Sequence, residues 1–279
     1  MATRKLLRII DSVPASDGAG VRLRRSLGRA NDLRADPFLM LDEFSSENPE
    51  DYIAGFPAHP HRGFETVTYL LDGHMLHEDH LGNRGELKAG GVQWMTAGRG
   101  IIHSEMPQQE NGRMRGFQLW INLPAKEKMK PAGYRDIQPD QIPVVKIPGG
   151  RVKVVAGTFG ATAGPILGGS TEPLYWDIEL NSNAAFAWKI ENKTVYLYPF
   201  EGSVEVAGRV LKRHQGGVLG SGDTLELKAG AEGARLLVLA AKPIGEPVVQ
   251  YGPFVMNTRE EIEQAIRDYQ SGELTREAP

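Results

Sequence analysis

The 279-residue sequence contains no cysteine. That excludes disulfides, thiolate metal ligands and a cysteine nucleophile, so any metal must rest on histidine, aspartate or glutamate. A strong charge of either sign is also missing. The net charge is −3, and so balanced a field gives no reason to expect direct nucleic-acid binding. The local basic excess at Arg22, Arg24, Arg25 and Arg29 lacks aromatic interleaving or a helical pattern and reads as a solvated strand face. Long apolar runs are absent too: none approaches the roughly 18–20 residues that a membrane-spanning helix needs. The opening MATRKLLRIIDSV is broken by Arg8 and makes a poor signal peptide. The expectation is a soluble intracellular protein, cytoplasmic, or nuclear in a eukaryote. Neither a Gly-x-Ser-x-Gly elbow nor a Walker-type phosphate loop occurs, which leaves hydrolase and nucleotide-binding readings without support.

What the sequence has in abundance is turn formers, 33 glycines and 18 prolines. These favour a β-rich fold over a helical bundle. DPFLMLDEF (36–44) reads as a buried strand. FETVTYLLDG alternates and then runs apolar into Asp72-Gly73, a hairpin signal. HMLHEDHLGN, GELKAGG and VQWMTAGRG follow as short strands closed by glycines. GFQLWINL is apolar on both faces, as a central strand would be. Strands at intervals of about 8–12 residues suggest a sandwich or barrel. The Pro- and Lys-rich stretch 124–143 reads as a linker. Beyond it EGSVEVAG with SGDTLELKAG echoes the first half, which suggests two β-barrels of one type. Near the end, Ile262, Ala265, Ile266 and Tyr269 share one helical face. Thr258 and Glu261 form a capping-box pattern and Gly272 a stop, so a helix over 257–272 is expected, packed on a barrel.

Seven histidines occur, and two short segments concentrate them to chemical effect. On an extended strand, residues i and i+2 point the same way, with Cα atoms about 6.5 Å apart. His59 and His61 can therefore aim at one ion, with Pro60 tolerated at a strand edge. In GRGIIHSEMP (98–107), His103 and Glu105 repeat the i, i+2 spacing. Three histidines and a glutamate suit iron, manganese, nickel, copper or zinc without choosing among them. Glu65, four residues past His61, competes with Glu105, and strand phase does not decide between them. His74, His77 and His80 alternate faces and are a poor cluster; they read as decoration of a nearby strand. His214 has no histidine partner nearby, so the second half shows no evident metal site. Phe56, Trp94, Met95 and Met106 are candidates for an apolar wall.

These residues resemble the cupins. Gly55…His59-x-His61-x-x-x-Glu65…Gly73 is similar to the first cupin motif and Gly98-x-Gly100-x-x-His103 to the second, except that Gly98 stands where proline is usual and Glu105 is an added acid. Both departures match the pirin family, as do HPHRGFETVTYLLDG, LGNRGELKAGGVQWMTAGRGIIHSEMP and YGPFVMNTREEIEQAIRDYQSGEL. The resemblance runs from about residue 20 to 275 and is looser over 160–245. It implies an all-β bicupin, two antiparallel jelly-roll β-barrels face to face with a C-terminal α-helix. The blocks are 1–131 with the metal site, 132–256 without metal, and 257–279 as helix and tail. It implies metal ligands His59, His61, His103 and Glu105, most often on iron, with cobalt joining the alternatives above, and it makes Glu65 a non-ligand.

The resemblance further implies a dioxygenase that cleaves a planar flavonol such as quercetin with O2. Glu105, if its bond to the metal is loose, is the expected catalytic base. The competing expectation is a metal- or redox-responsive regulatory module that docks on a protein partner. A monomer is expected, with no membrane or nucleic-acid partner.

Overall fold

The computed structural model describes residues 2–30 and 33–276. Its paired strands run antiparallel, and a single α-helix, Arg259–Ser271, lies near the C-terminus of the described chain. The chain divides into two compact units. The first comprises 14–25, 38–139 and 244–279; the second comprises 1–13, 26–37 and 140–243. These units cut across the linear blocks 1–131, 132–256 and 257–279, because both ends of the chain leave the half they belong to in sequence. The strand Leu6–Asp11 is zipped to Gln215–Leu219, while the hairpin Val249–Tyr251/Phe254–Met256 and the helix fall in the first unit.

Two sheets in jelly-roll style form the first unit. The larger has seven strands in the order Gly133–Ile137, Val92–Thr96, Phe64–Asp72, Met114–Asn122, Phe38–Ser46, Val21–Leu27, Val13–Asp17. The smaller has four, Phe56–His61, Ile101–Pro107, His74–Asp79, Arg84–Lys88. The doubly apolar Met114–Asn122 is interior, paired on both sides, as its pattern requires. Between the sheets pack Phe44, Leu70, Met75, Leu87 and Met114. A second cluster gathers Leu39, Met40, Phe64, Trp120 and Val255. Each such side chain contributes about 1.5–3 kcal/mol by leaving water.

Two expectations change here. Asp72-Gly73 is not a hairpin: Phe64–Asp72 lies in the seven-stranded sheet and His74–Asp79 in the four-stranded one. Gly73, at φ +108°, turns the chain from one sheet to the other where a Cβ would strike the Met114 sulfur at 2.7 Å. The hairpin comes one turn later, between His74–Asp79 and Arg84–Lys88. The stretch 124–143 is not an open linker either. Its strand Gly133–Ile137 extends the large sheet by pairing with Val92–Thr96.

The second unit is built on a nine-stranded sheet whose longest members are Thr194–Val206 and Thr224–Ala241. Its core includes Val154, Trp176, Ile178, Phe186, Leu197 and Val238. Phe159 stacks on Trp188 with ring centroids 3.9 Å apart and meets Trp176 edge-on at 5.3 Å.

The helix follows its sequence signals. The Thr258 side chain accepts from the Glu261 N–H, the Glu261 carboxylate accepts from the Thr258 N–H, and Gly272 ends the helix at φ 78°. Ile262 and Ala265 are buried against Phe254, Met256 and Leu274, with Ile266 partly covered. Tyr269 remains 44% exposed at the margin of the stripe, edge-on to Phe254. Among the described residues no helix is long and apolar enough to cross a membrane.

Candidate metal centre

Phe56–His61 is the edge strand of the four-stranded sheet and Ile101–Pro107 its neighbour, with His59 opposite His103 and His61 opposite Ile101. Edge placement is what lets Pro60 sit mid-strand without costing the sheet a ladder bond. The i, i+2 spacing puts His59 and His61 on one face, and the pairing brings His103 to them. Ring centroids lie 4.6 Å apart for His59–His61, 4.4 Å for His59–His103 and 5.0 Å for His61–His103. One ring nitrogen from each falls within 4.8 Å of the others. Glu105 is opposite Phe56, so the register slips between His103 and Glu105 and one extra residue is accommodated on the His59 strand. Such a bulge re-aims side chains. Here the Pro57 carbonyl accepts a hydrogen bond from His59 Nδ1 at 2.8 Å.

The donor set fits a metal. His61 and His103 are buried, 3% and 2% exposed. Burial, then the neighbouring imidazoles, hold both well below the ordinary histidine range, so they are neutral at neutral pH. His61 Nδ1 and His103 Nε2 are enclosed and have no hydrogen-bond partner. Buried polar atoms without partners are rare and costly, and a cation shared by three imidazoles satisfies them. Among the described residues no carboxylate joins this group, so the structure brings His59, His61 and His103 together without Glu105, and neutral imidazole nitrogens suit a transition metal. His59 is only half-buried, so the cluster opens on its side.

The two carboxylates have distinct surroundings. Glu105 is 3% exposed. Its Oε1 accepts from the Thr68 hydroxyl at 2.7 Å and its Oε2 from Gln118 Nε2 at 3.0 Å. The Thr68 hydroxyl is also 2.6 Å from Gln118 Oε1, so its one proton serves one of these two oxygens at a time. Glu65 instead accepts from the Thr96 hydroxyl at 2.7 Å and lies 3.6 Å from Lys130 Nζ. The apolar flank of the cluster is Phe64 and Trp120, 5.1 and 5.3 Å from the His61 ring. Of the four candidates for such a wall, Trp94 and Met95 are buried core residues, Met95 beside Ala97 and Ile101. Phe56 packs towards Val21 and Leu23.

The N-terminal part of the chain, residues 20–121, matches the Pirin family model, and residues 175–275 match the model of the Pirin C-terminal cupin domain. The chain belongs to the pirin family. It is 55% identical, over 97% of its length and 98% of the relative's, to a Pseudomonas aeruginosa protein that carries quercetin 2,3-dioxygenase as a provisional name. It is 50% identical to a pirin-like protein of Caulobacter vibrioides, over 98% and 99% of the two chains. The crystal structure of a quercetin 2,3-dioxygenase from Acinetobacter baumannii superposes with a TM-score of 0.91 at 32% identity, covering 98% and 99% of the chains. The N-terminal match lies within the first unit apart from residues 26–37, whereas the C-terminal match begins in the second unit and ends in the first.

Sequence spacing missed one neighbour of this pirin's histidine cluster. His77 is 2% exposed and its Nδ1 lies 3.4 Å from His103 Nδ1. Its ring stacks on Tyr134 at 4.1 Å and an interplanar angle of 13°. Alternation along one strand correctly separates His77 from His74 and His80, but only the pairing of His74–Asp79 with Ile101–Pro107 reveals what it faces. His77-x-Asp79, again at i, i+2, was the available signal.

Proposed function

We propose that this pirin is a metal-dependent dioxygenase that cleaves a flavonol such as quercetin with O2. The supporting observation is the convergence of three imidazoles, two of them buried with an unpartnered nitrogen, on a face that opens beside half-buried His59. In this reading His59, His61 and His103 hold the metal, and the resemblance adds Glu105 as fourth ligand and iron as the preferred ion. When bound, the metal supplies Lewis acidity toward the flavonol 3-hydroxyl and electron exchange with O2.

The chain's own groups do the rest. Glu105, when its bond to the metal is loose, takes the 3-hydroxyl proton on a carboxylate oxygen as general base. Thr68 and Gln118 hold that carboxylate in place from either side. Phe64 and Trp120, buried and in contact at 4.3 Å, keep water from the inner side of the cluster. Quercetin consumption with release of CO by iron-loaded protein, checked by elemental analysis of the same sample, is the test. Fully loaded protein that leaves quercetin intact and releases no CO refutes this function and leaves the partner-docking reading.

A further inference from the structure

We propose that Asp79 and His77 are positioning residues that fix the tautomer of His103, so that its Nε2 lone pair is presented to the metal. The inference rests on the metal reading above and goes beyond it by assigning a role to two residues outside the ligand set.

The argument follows the protons. The Asp79 side chain is fully enclosed. Its Oδ1 accepts from the Leu81 N–H at 2.9 Å and the Asn83 N–H at 3.1 Å, and its Oδ2 accepts from Asn83 Nδ2 at 2.9 Å. So surrounded by donors, the carboxylate is purely an acceptor. His77 Nε2 lies 3.3 Å from Asp79 Oδ2, so the N–H of a neutral His77 sits on Nε2. That leaves His77 Nδ1 as a bare lone pair, and it faces His103 Nδ1 at 3.4 Å. Two bare lone pairs would repel there, so His103 carries its proton on Nδ1 and donates it to His77. His103 Nε2 is then unprotonated, and it is the atom left without a partner in the protein. Stacking on Tyr134 holds the His77 ring in the plane this chain needs. Metal-bound histidines commonly have the second nitrogen oriented by a hydrogen bond in this way.

Two variants and one spectroscopic measurement test the proposal. His77→Phe keeps a flat ring against Tyr134 and removes the acceptor. His77→Asn restores an acceptor, its Oδ1, near the Nδ1 position. In metal-free wild-type protein with 15N-labelled histidine, long-range 1H–15N correlation should show His103 protonated on Nδ1. Competitive titration with Co2+ should show affinity reduced about 10–100-fold in His77→Phe, with most of the loss recovered in His77→Asn. A His103 proton on Nε2 in the wild type, or wild-type Co2+ affinity in a folded His77→Phe variant, overturns the assignment. Should His77→Phe not fold, the wild-type tautomer decides alone. Wild-type protein that binds no Co2+ refutes the metal reading instead, and the tautomer measurement still decides the role of His77.

Discussion

Lys128 is a buried cation whose loss should be visible in stability before any chemistry is measured. It is 1% exposed, and its ammonium donates to the Asn122 side-chain oxygen at 2.6 Å, the Gly63 carbonyl at 2.7 Å and the Val255 carbonyl at 3.0 Å. It thereby ties the strand after His61 to the C-terminal hairpin. Burial pushes its pKa down from 10.5 to about 8, against the pull of Glu246 and then Glu261. A shift of that size corresponds to about 3 kcal/mol of disfavoured charge. At about 8 the pKa still lies above neutral pH, so Lys128 is charged at pH 7, where hydrogen bonds from a charged donor contribute about 1.5–3 kcal/mol each. Lys128→Met should therefore destabilise the protein at pH 7 by about 2–4 kcal/mol, since it leaves three acceptors unpaired. The sign of the pH dependence follows from linkage. Between about pH 8 and 10.5 the unfolded chain holds the lysine proton and the folded chain has released it, so wild-type stability rises with pH. The variant lacks that contribution, and the gap between wild type and variant should widen by up to about 3 kcal/mol across this window. Urea unfolding of both proteins from pH 7 to 10 measures it. A gap that stays flat or narrows with rising pH would refute a depressed lysine.

Further outcomes are expected around the same seam. Gly63→Ala places a Cβ 1.9 Å from the Val255 carbonyl oxygen at φ +91°, so thermal unfolding should show a loss above about 3 kcal/mol or no soluble protein. Asp268→Asn weakens the 2.6 Å pair with Arg62, which is buried next to His61. Hydrogen exchange of 259–271 should accelerate, with a stability loss of about 1–3 kcal/mol by chemical denaturation. Thr258→Ala removes the cap and should cost about 1 kcal/mol in the same assay. Adding Co2+ or Fe2+ should raise the melting temperature of the wild type by mass action, and His61→Ala should abolish that rise in a thermal-shift measurement.

Much of the molecule was legible because its local rules agree. The capping box at Thr258 and Glu261, the interior character of Met114–Asn122 and the shared face of His59 and His61 each follow from a period of 3.6 or 2 within one element. What sequence misjudged concerns which element comes next in space. Asp72-Gly73 has good hairpin chemistry, yet the strands it joins lie in different sheets. The ends 1–13 and 244–279 each belong to the unit dominated by the other half of the chain, and no local propensity encodes that exchange. Residues 133–137 look polar and Pro-flanked but gain a partner in Val92–Thr96.

The same distinction explains the site. Its histidines were found because each pair shares a strand, where spacing alone dictates direction. Their surroundings were not, because they arrive from other strands: Thr68 and Gln118, which bond Glu105, from Phe64–Asp72 and Met114–Asn122, Trp120 beside His61 also from Met114–Asn122, and His77 from the far side of the His103 strand. The edge position of Phe56–His61 has a further consequence. With one flank outside the ladder, this strand carries Pro57, Pro60 and the extra residue opposite the His103–Glu105 step. If that extra residue sets the aim of His59, substitutions at Ala58 should lower Co2+ affinity in a competitive titration more than substitutions at Ser104, whose strand is paired on both sides, and equal effects would refute the idea.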